Sequence, residues 1–266
     1  MMERTPRVVR FPFSKLPAPG AFSALVDGSL DLVHVEGVLT EVETAALLDR
    51  LPEDGQVVHP PGRGHEDVRV FGRMIAPTGV EPQGPSFDDY RRANVALARA
   101  LGALFDDARS RILRVIAAIG GTDSAIPDGY GFGSVRRMPD GCGAPLHRDA
   151  YPQTPAYRQL REWCDLSVQI SWYLQLSVPR EGGFLRVYPE LVGSDVPRDS
   201  DGRVDIDQLE RRAVMHTHSP AVGDLVLHAG SARWHRVTPA VGPLARHTLG
   251  GFCAWSAARD RILSWA

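Results

Sequence analysis

The chain has 266 residues, of which 30 are lysine or arginine and 32 are aspartate or glutamate, for a formal net charge of −2 at pH 7. This near-neutral balance gives no broad basic surface for nucleic acid and no polybasic patch for a membrane. No apolar run approaches the roughly 18 residues that a membrane span needs, and with 43% hydrophobic residues the chain can bury a substantial core. We therefore expect a globular protein with no nucleic-acid or membrane partner.

The first elements of the chain are an extended arm, a strand and a helix. Residues 1–20 are rich in proline and predict the arm, and Leu32–Val38 predicts a short strand. Thr40 and Glu43 form the pattern of a capping box, in which each side chain binds the backbone N–H of the other residue. A helix is therefore expected to begin near Thr40.

A second strand and long helices follow. Val68–Ile75 predicts the strand, and Ser86 is placed to cap a long helical stretch. We expect residues 1–128 to form a mainly helical N-terminal part. Within the helical stretch, apolar residues recur at helical spacing and predict one buried stripe: Phe105, Ala108, Ile112, Val115, Ile116 and Ile119.

From residue 129 onward, short strands alternate with turns. We expect a mainly β (α+β) fold in one domain of residues 1–266, in which residues 129–266 form a β core and the N-terminal helices buttress it. The candidate strands are Val135–Met138, Leu166–Val178, Phe184–Tyr188, Asp224–His228, Trp234–Thr238 and Arg246–Trp255.

Residues 166–176 alternate strictly, with an apolar residue at every even position and a polar residue or tyrosine at every odd position. In a strand, this alternation places the two sets on opposite faces. The polar face either lies in solvent, as is usual in antiparallel sheets, or lines the polar interior of a small barrel. The pattern alone leaves both interpretations open.

His147 and Asp149 stand at i and i+2, so in an extended chain their imidazole and carboxylate share one face and can bind one ion. His235 supplies a third ligand much later in the chain. Two histidines and one carboxylate on one side of an octahedral iron leave three positions open, the arrangement of non-haem Fe(II) oxygenases. The candidate catalytic metal ligands are therefore His147, Asp149 and His235.

Other histidines have different expected roles. His216 and His218 form an HxH pair that could compete as metal ligands, but the surrounding sequence indicates an exposed turn. His34 is expected at the surface or in a loop. His228 ends a predicted strand close to His235; it could line the pocket, and a hydrogen-bonded structural role is the favoured interpretation.

Arg246 is expected in a strand beside that of His235, because a Gly/Pro turn at residues 241–243 separates the two. A guanidinium there can bind a carboxylate through two parallel hydrogen bonds. Thr248, at i+2 from Arg246, faces the same way and could add a hydroxyl group. A metal triad beside this clamp suits a co-substrate with a chelating 2-oxo acid at one end and a carboxylate at the other.

The segments around the metal triad and Arg246 resemble the Fe(II)/2-oxoglutarate-dependent oxygenases. Two longer stretches, Asp165–Gly183 and Arg246–Asp260, are similar to the carrier-independent indole-alkaloid halogenases of the hapalindole and welwitindolinone type. The resemblance implies a double-stranded β-helix (jelly-roll, cupin-like) core and the cofactors Fe(II), 2-oxoglutarate and O₂. It also implies that Arg246 and Thr248 anchor 2-oxoglutarate. The segments that carry it are His147-Arg148-Asp149, Gly223–Leu227, His235–Pro239, Arg246-His247-Thr248, Asp165–Gly183 and Arg246–Asp260.

One departure from those halogenases bears on the reaction. They have glycine at the position of Asp149, and halide binds iron in that vacancy. A carboxylate there leaves no natural place for chloride, so the resemblance implies hydroxylation of an unactivated C–H bond, with release of succinate and CO₂. The substrate is expected to be a free small molecule, either an amino-acid derivative or a natural-product intermediate.

Three residues on the alternating segment are further candidates for the 2-oxoglutarate pocket. Gln169, Ser171 and Tyr173 lie on its polar face. Gln169 and Ser171 also occur in the halogenase-like segment. We therefore expect these side chains near the co-substrate.

The three cysteines, Cys142, Cys164 and Cys253, are odd in number and widely spaced, with no CxxC pair. This pattern favours reduced thiols over a disulfide framework or a zinc ribbon. The N-terminus also lacks the apolar segment of a secretory signal. We expect a cytoplasmic protein; the sequence does not predict its oligomeric state.

Other functions remain open. The same cofactors support desaturation, cyclisation or epimerisation, because the outcome depends on where the substrate radical sits. Outside this class, the chain could be a redox-silent metal enzyme or a non-catalytic cupin-like binding protein. Arg246 argues against the first of these, and an intact triad with its clamp argues against the second.

Overall fold

A computed structural model describes residues 7–57, 68–75, 83–149, 154–191 and 195–266. The first six residues of the predicted arm lie outside the described residues. The described ranges contain six α-helices: α1 Ala21–Val26, α2 Glu41–Leu48, α3 Phe87–Leu101, α4 Ala103–Gly120, α5 Pro155–Trp163 and α6 Ile206–Arg212. They also contain sixteen strands: β1 Val8–Pro12, β2 Leu32–Glu36, β3 Gln56–Val57, β4 Arg69–Phe71, β5 Asp123–Ala125, β6 Ser134–Met138, β7 Ala144–His147, β8 Ile170–Ser177, β9 Glu181–Gly182, β10 Leu185–Tyr188, β11 His216–His218, β12 Leu225–His228, β13 Trp234–Val237, β14 Ala240–Val241, β15 Arg246–Trp255 and β16 Arg261–Trp265.

Two sheets form the core of the fold. The larger sheet has β12, β8, β15 and β6 as neighbours at its centre, and the smaller sheet has β11, β10, β13 and β7. Along the chain, the strands from β6 to β15 pass back and forth between these sheets. This winding is that of a double-stranded β-helix, or jelly roll. The predicted mainly β fold with a jelly-roll core is confirmed.

Strands from the N-terminal part extend the larger sheet. β1 pairs in parallel with β2, and β2 pairs antiparallel with β12. Within the predicted arm, Val8–Pro12 is therefore a sheet strand, because its backbone groups find hydrogen-bond partners in β2. At the other edge, β4 and β3 continue the sheet beyond β6. The N-terminal part thus contributes strands as well as helices.

The N-terminal helices share an apolar core with the larger sheet, and the whole predicted stripe of α4 is buried there. The capping box of α2 is confirmed: the Glu43 N–H donates to Thr40 Oγ1 at 3.2 Å, and the Thr40 N–H donates to Glu43 Oε2 at 2.8 Å. The long stretch after Ser86 is two helices, because Gly102 between them has a φ of 58°, in the left-handed region that ends a helix. In the described part of the chain, no helix combines the length and apolar character that crossing a membrane requires.

The alternating segment 166–176 contains strand β8, but the strand begins only at Ile170. Its first three residues form a 3₁₀ helix, because Asp165 Oδ1 accepts a hydrogen bond from the Ser167 N–H at 3.2 Å and turns the chain. Every side chain from Ile170 to residue 176 is buried. The polar face of β8 therefore lies inside the jelly roll, and of the two interpretations the solvent-exposed one is wrong.

The HxH pair of His216 and His218 forms strand β11, so the predicted exposed turn is wrong. His218 is 1% exposed, and its ring centroid lies 4.8 Å from that of His34. His34 is also buried, with its Nε2 2.8 Å from Asp224 Oδ2. The predicted surface position of His34 is wrong too, because β2 and β11 belong to different sheets that bury these side chains against each other.

Burial of His218 predicts a protein that is less stable in acid. Burial, together with nearby His34 and His216, lowers the pKa of His218 to about 3, whereas the pKa of an unfolded histidine is about 6.5. Between about pH 7.5 and about pH 5.5 the unfolded chain therefore gains most of a proton that the folded chain does not, and the free energy of unfolding falls by about 1.4 kcal/mol. In urea unfolding, the wild type should lose more stability over this range than His218→Gln. An equal loss in both proteins would contradict this assignment.

Candidate active site

Strands β7 and β13 bring His147, Asp149 and His235 together. His147 ends β7 and faces His235 of β13 across the antiparallel ladder. Asp149 follows β7, with its Oδ1 3.3 Å from His147 Nε2 and its Oδ2 3.3 Å from His235 Nε2. One ligand atom from each residue lies within 4.8 Å of the other two. At this spacing a single metal ion can contact all three side chains.

Backbone carbonyls determine which imidazole nitrogen faces Asp149. His147 Nδ1 lies 2.6 Å from the carbonyl oxygen of Pro145, and His235 Nδ1 lies 3.0 Å from that of Arg233. A carbonyl oxygen only accepts hydrogen bonds, so each Nδ1 carries the proton and donates it. Nε2 is therefore the nitrogen of each imidazole that faces Asp149, and it can bind a metal ion once it has lost its proton.

The two imidazoles keep Asp149 ionised. Burial raises the pKa of a carboxyl group, but the charges and hydrogen bonds of His235 and His147 outweigh it and hold the pKa of Asp149 well below its usual range. Burial lowers the pKa of His235, and Asp149 more than reverses this effect. A carboxylate beside two imidazole nitrogens is a donor set that suits a divalent transition metal.

Three residues hold Asp149 in place. The Ser171 hydroxyl donates to its Oδ2 at 2.5 Å, the Gln169 amide donates to its carbonyl oxygen at 2.8 Å, and its own N–H donates to the carbonyl oxygen of Gly230 at 2.9 Å. Gly230 also leaves space for the carboxylate, because a Cβ there would lie 2.0 Å from Ser171 Oγ and 2.4 Å from Asp149 Oδ2. The other end of Gln169 is occupied as well, since the Tyr157 hydroxyl donates to its Oε1 at 3.1 Å. Sequence reasoning missed Gly230, because no local pattern marks a glycine whose contacts are distant in the chain.

The triad lies at the wall of a cavity of about 90 Å³. Arg246 and Thr248 of β15 line the same cavity, at the i and i+2 positions that the sequence indicates, and both are buried. His228 also lines it, with its ring centroid 4.7 Å from that of His235. Further lining residues include Met74, Ser134, Arg136, Ser171, Tyr173 and Phe252.

Arg246 is a buried cation that forms no ion pair with the carboxylates in the described part of the chain. Its guanidinium lies 5.0 Å from the centroid of the Tyr173 ring. In the same part of the chain, neither Arg246 Nε nor the Tyr173 hydroxyl has a hydrogen-bond partner. Burial lowers the pKa of Arg246, and a buried cation without a counter-charge is costly. This end of the cavity is therefore suited to an anion.

Comparison with known protein families agrees with this geometry. The family model of the carrier-protein-independent halogenase WelO5 matches residues 14–266. The chain belongs to the WelO5 family. The resemblance to carrier-independent halogenases is thereby confirmed, and with it the class of Fe(II)/2-oxoglutarate-dependent oxygenases and their cofactors. A search of curated proteins finds no significant match.

Solved structures share the fold of this WelO5-family chain at low sequence identity. The carbocyclase SnoK from nogalamycin biosynthesis has a TM-score of 0.51 at 15% identity, over 90% of this chain and 89% of that one. The epimerase SnoN from the same biosynthesis has a TM-score of 0.50 at 16% identity, over 88% and 83%. An N-substituted L-amino acid dioxygenase from Burkholderia ambifaria AMMD has a TM-score of 0.50 at 14% identity, over 92% and 90%. At these identities the similarity is one of fold.

Proposed function

We propose that this chain is a 2-oxoglutarate-dependent non-haem iron dioxygenase that hydroxylates an unactivated C–H bond of a free small molecule. The observation that carries the proposal is the Asp149 carboxylate, which lies 3.3 Å from an Nε2 of each histidine. The indole-alkaloid halogenases have glycine at this position, and halide binds in the vacancy. Here a carboxylate fills it; the Ser171 hydroxyl donates to that carboxylate, and the Gly230 carbonyl oxygen accepts from the Asp149 backbone N–H.

In this proposal His147, Asp149 and His235 hold Fe(II). Their fit to the metal rests on two imidazole Nε2 atoms and one carboxylate whose ligand atoms lie close together. These three protein ligands would leave the ion able to bind 2-oxoglutarate and O₂ as well. When bound, the iron with 2-oxoglutarate supplies the oxidising chemistry and yields succinate and CO₂. The protein contributes orientation and a largely buried cavity that excludes water.

Arg246 binds the distal carboxylate of 2-oxoglutarate in this proposal. Its lack of a carboxylate partner in the described residues, and the unbonded hydroxyl of neighbouring Tyr173, support an anion at this place. Thr248 lies two residues along the same strand and adds a hydroxyl group to the cavity. Ser171 and Gln169 bond to Asp149 instead, so we propose that they hold this metal ligand and do not bind 2-oxoglutarate.

We further propose that the substrate is an amino-acid derivative or a natural-product intermediate. One structural neighbour is named as an N-substituted L-amino acid dioxygenase and two come from nogalamycin biosynthesis, which supports a small-molecule substrate. The three cysteines are buried, widely spaced and without a CxxC pair, which supports a cytoplasmic location. An apolar core shared by helices and strands supports a single domain of residues 1–266.

The test is an anaerobic titration of the metal-free protein with Fe(II) and then 2-oxoglutarate, monitored by the visible iron-to-oxo-acid charge-transfer band. We expect the band in the wild type and its loss in Asp149→Ala and Arg246→Ala. Iron binding without a band would exclude 2-oxoglutarate and favour a redox-silent metal enzyme. Absence of iron binding would favour a cupin-like binding protein.

Product mass then separates the reaction types. With candidate substrates under O₂, hydroxylation adds one oxygen atom, whereas desaturation or cyclisation removes two hydrogen atoms and epimerisation leaves the mass unchanged. We expect the oxygen-added product, with succinate released in equal amount. A product that lacks the added oxygen would contradict hydroxylation while preserving the cofactor assignment.

Changes at Ser171 and Gly230, which hold Asp149 in place, are expected to weaken iron binding without unfolding the protein. Ser171→Ala removes one hydrogen bond to the carboxylate, and Gly230→Ala pushes a methyl group against it. We expect Fe(II) affinity to fall about tenfold in Ser171→Ala and about 100-fold in Gly230→Ala, the range for partners of metal ligands. Chelator competition measures the affinity, and thermal unfolding monitors the fold. Ser177→Ala, a serine of the same strand that bonds to Ala245, is the control and should bind iron normally.

A further inference from the structure

A second arginine, Arg136, reaches the cavity from strand β6. Ser134 and Arg136 line the cavity, whereas Val135 between them packs in the apolar core on the opposite face of the sheet. Arg136 is partly exposed, while Arg246 is buried. Arg136 is therefore the guanidinium that an incoming molecule meets in the more open part of this cavity.

The strand register separates the two arginines. In the ladder between β6 and β15, Met138 pairs with Arg246 and Arg136 pairs with Thr248. Two residues along a strand span about 7 Å. Arg136 is thus displaced from Arg246 toward Phe252, the β15 residue that is paired with Ser171 of the Asp149 support.

The Arg136 side chain also extends toward the part of the cavity that Phe252 lines. Its Nη2 lies 2.9 Å from the sulfur of Met74, which follows β4 and lines the cavity together with Phe252. A thioether is a weak acceptor, and a guanidinium has five N–H donors. Arg136 makes a further contact within the molecule, and its donors are numerous enough to bind an anion as well. The neighbouring Met74 and Phe252 offer apolar surface to the rest of such a molecule.

The side chains of the cavity offer a second cation besides the one assigned to 2-oxoglutarate. Among the described side chains that line it, Arg136 and Arg246 are cations and Asp149 is the one carboxylate, and the last residue, Ala266, lines it as well. Burial lowers the pKa of Arg246, and the charge of Arg136 lowers it further. In the proposed function, one carboxylate of 2-oxoglutarate chelates iron and the other binds Arg246. Neither carboxylate is assigned to Arg136.

We propose that the substrate of this enzyme carries a carboxylate that Arg136 binds, with the apolar part of the substrate against Met74 and Phe252. This inference rests on the proposed function of the site. It narrows the substrate class to carboxylic acids and makes Arg136 a specificity-determining residue. The primary amide of the same acid is expected to bind poorly, because it lacks the charge that pairs with the guanidinium.

The experiment uses the anaerobic protein saturated with Fe(II) and 2-oxoglutarate. The probes are hexanoate, phenylacetate and N-acetyl-L-leucine, each compared with its primary amide, and binding is followed by the perturbation of the charge-transfer band. We expect at least one acid to bind the wild type about tenfold more tightly than its amide, as for a charge-assisted hydrogen bond. Arg136→Gln should lose this preference and Arg136→Lys should keep part of it. Arg137→Gln, on the next residue of the same strand, is the matched control and should keep all of it.

The outcomes separate the two proposals. If the wild type forms the charge-transfer band but prefers no acid in the panel, or if Arg136→Gln keeps the preference, the carboxylate inference is overturned and the proposed function stands. If Arg136→Gln weakens the binding of 2-oxoglutarate itself, Arg136 belongs to the co-substrate site and the inference is likewise overturned. If the wild type forms no band, the proposed function falls, and this inference falls with it.

Discussion

Asp149→Gly is expected to weaken iron binding about 100-fold and to create an anion site beside the metal, since loss of even an outer partner of a metal ligand costs about 10–100-fold. Removal of the carboxylate leaves the Ser171 hydroxyl without its acceptor and leaves Gly230 with no side chain to fill the space. The vacancy is then bordered by a hydrogen-bond donor and by the metal. A halide ion suits this site, as it does in the halogenases that have glycine at this position.

Cobalt substitution allows this site to be tested without a known substrate. We expect chloride to change the visible absorption of Co(II)-loaded Asp149→Gly and to leave that of the wild type unchanged. Asp149→Asn is the matched control: it removes the charge but keeps the volume, so it should show no chloride response. A chloride response of the wild type equal to that of Asp149→Gly would mean that Asp149 does not occupy the halide position.

Arg246→Gln is expected to weaken 2-oxoglutarate binding about 100-fold, because truncation of a buried charge pair costs about 2–5 kcal/mol. Iron affinity should stay unchanged, since Arg246 makes no contact with the triad in the described structure. The variant should also melt at a higher temperature than the wild type when no ligand is present. The reason is that a buried cation without a counter-charge destabilises the fold, and a neutral side chain removes this cost.

Charge-transfer titration gives the 2-oxoglutarate affinity, and thermal unfolding with and without 2-oxoglutarate gives the stability. Arg186→Gln is the contrasting control, because Arg186 forms an ion pair with Glu210 and its loss should lower the melting temperature. 2-Oxoglutarate should stabilise the iron-loaded wild type and the control but not Arg246→Gln. An unchanged 2-oxoglutarate affinity in Arg246→Gln would assign the distal carboxylate to another residue.

Features whose signals lie within one helical turn or one strand could be predicted from the amino-acid sequence. The capping box of Thr40 and Glu43 is present, the α4 stripe is buried, and β15 has the predicted bounds Arg246–Trp255. The i and i+2 pairs around the candidate site were visible for the same reason, because a strand places such residues on one face. The resemblance to the Fe(II)/2-oxoglutarate-dependent oxygenases then indicated that the pair of His147 and Asp149 and the pair of Arg246 and Thr248 belong to one site.

Which residues pack against each face of a strand could not be predicted in this way. Alternation in β8 predicts that Gln169 and Ser171 point the same way, but it does not predict that both bond to Asp149. The burial of His34 and His218 was missed for the same reason. Each of these contacts joins segments that are distant in the chain and lie on different strands or sheets. A local pattern reports the period of a strand, whereas its neighbours follow from how two sheets pack together.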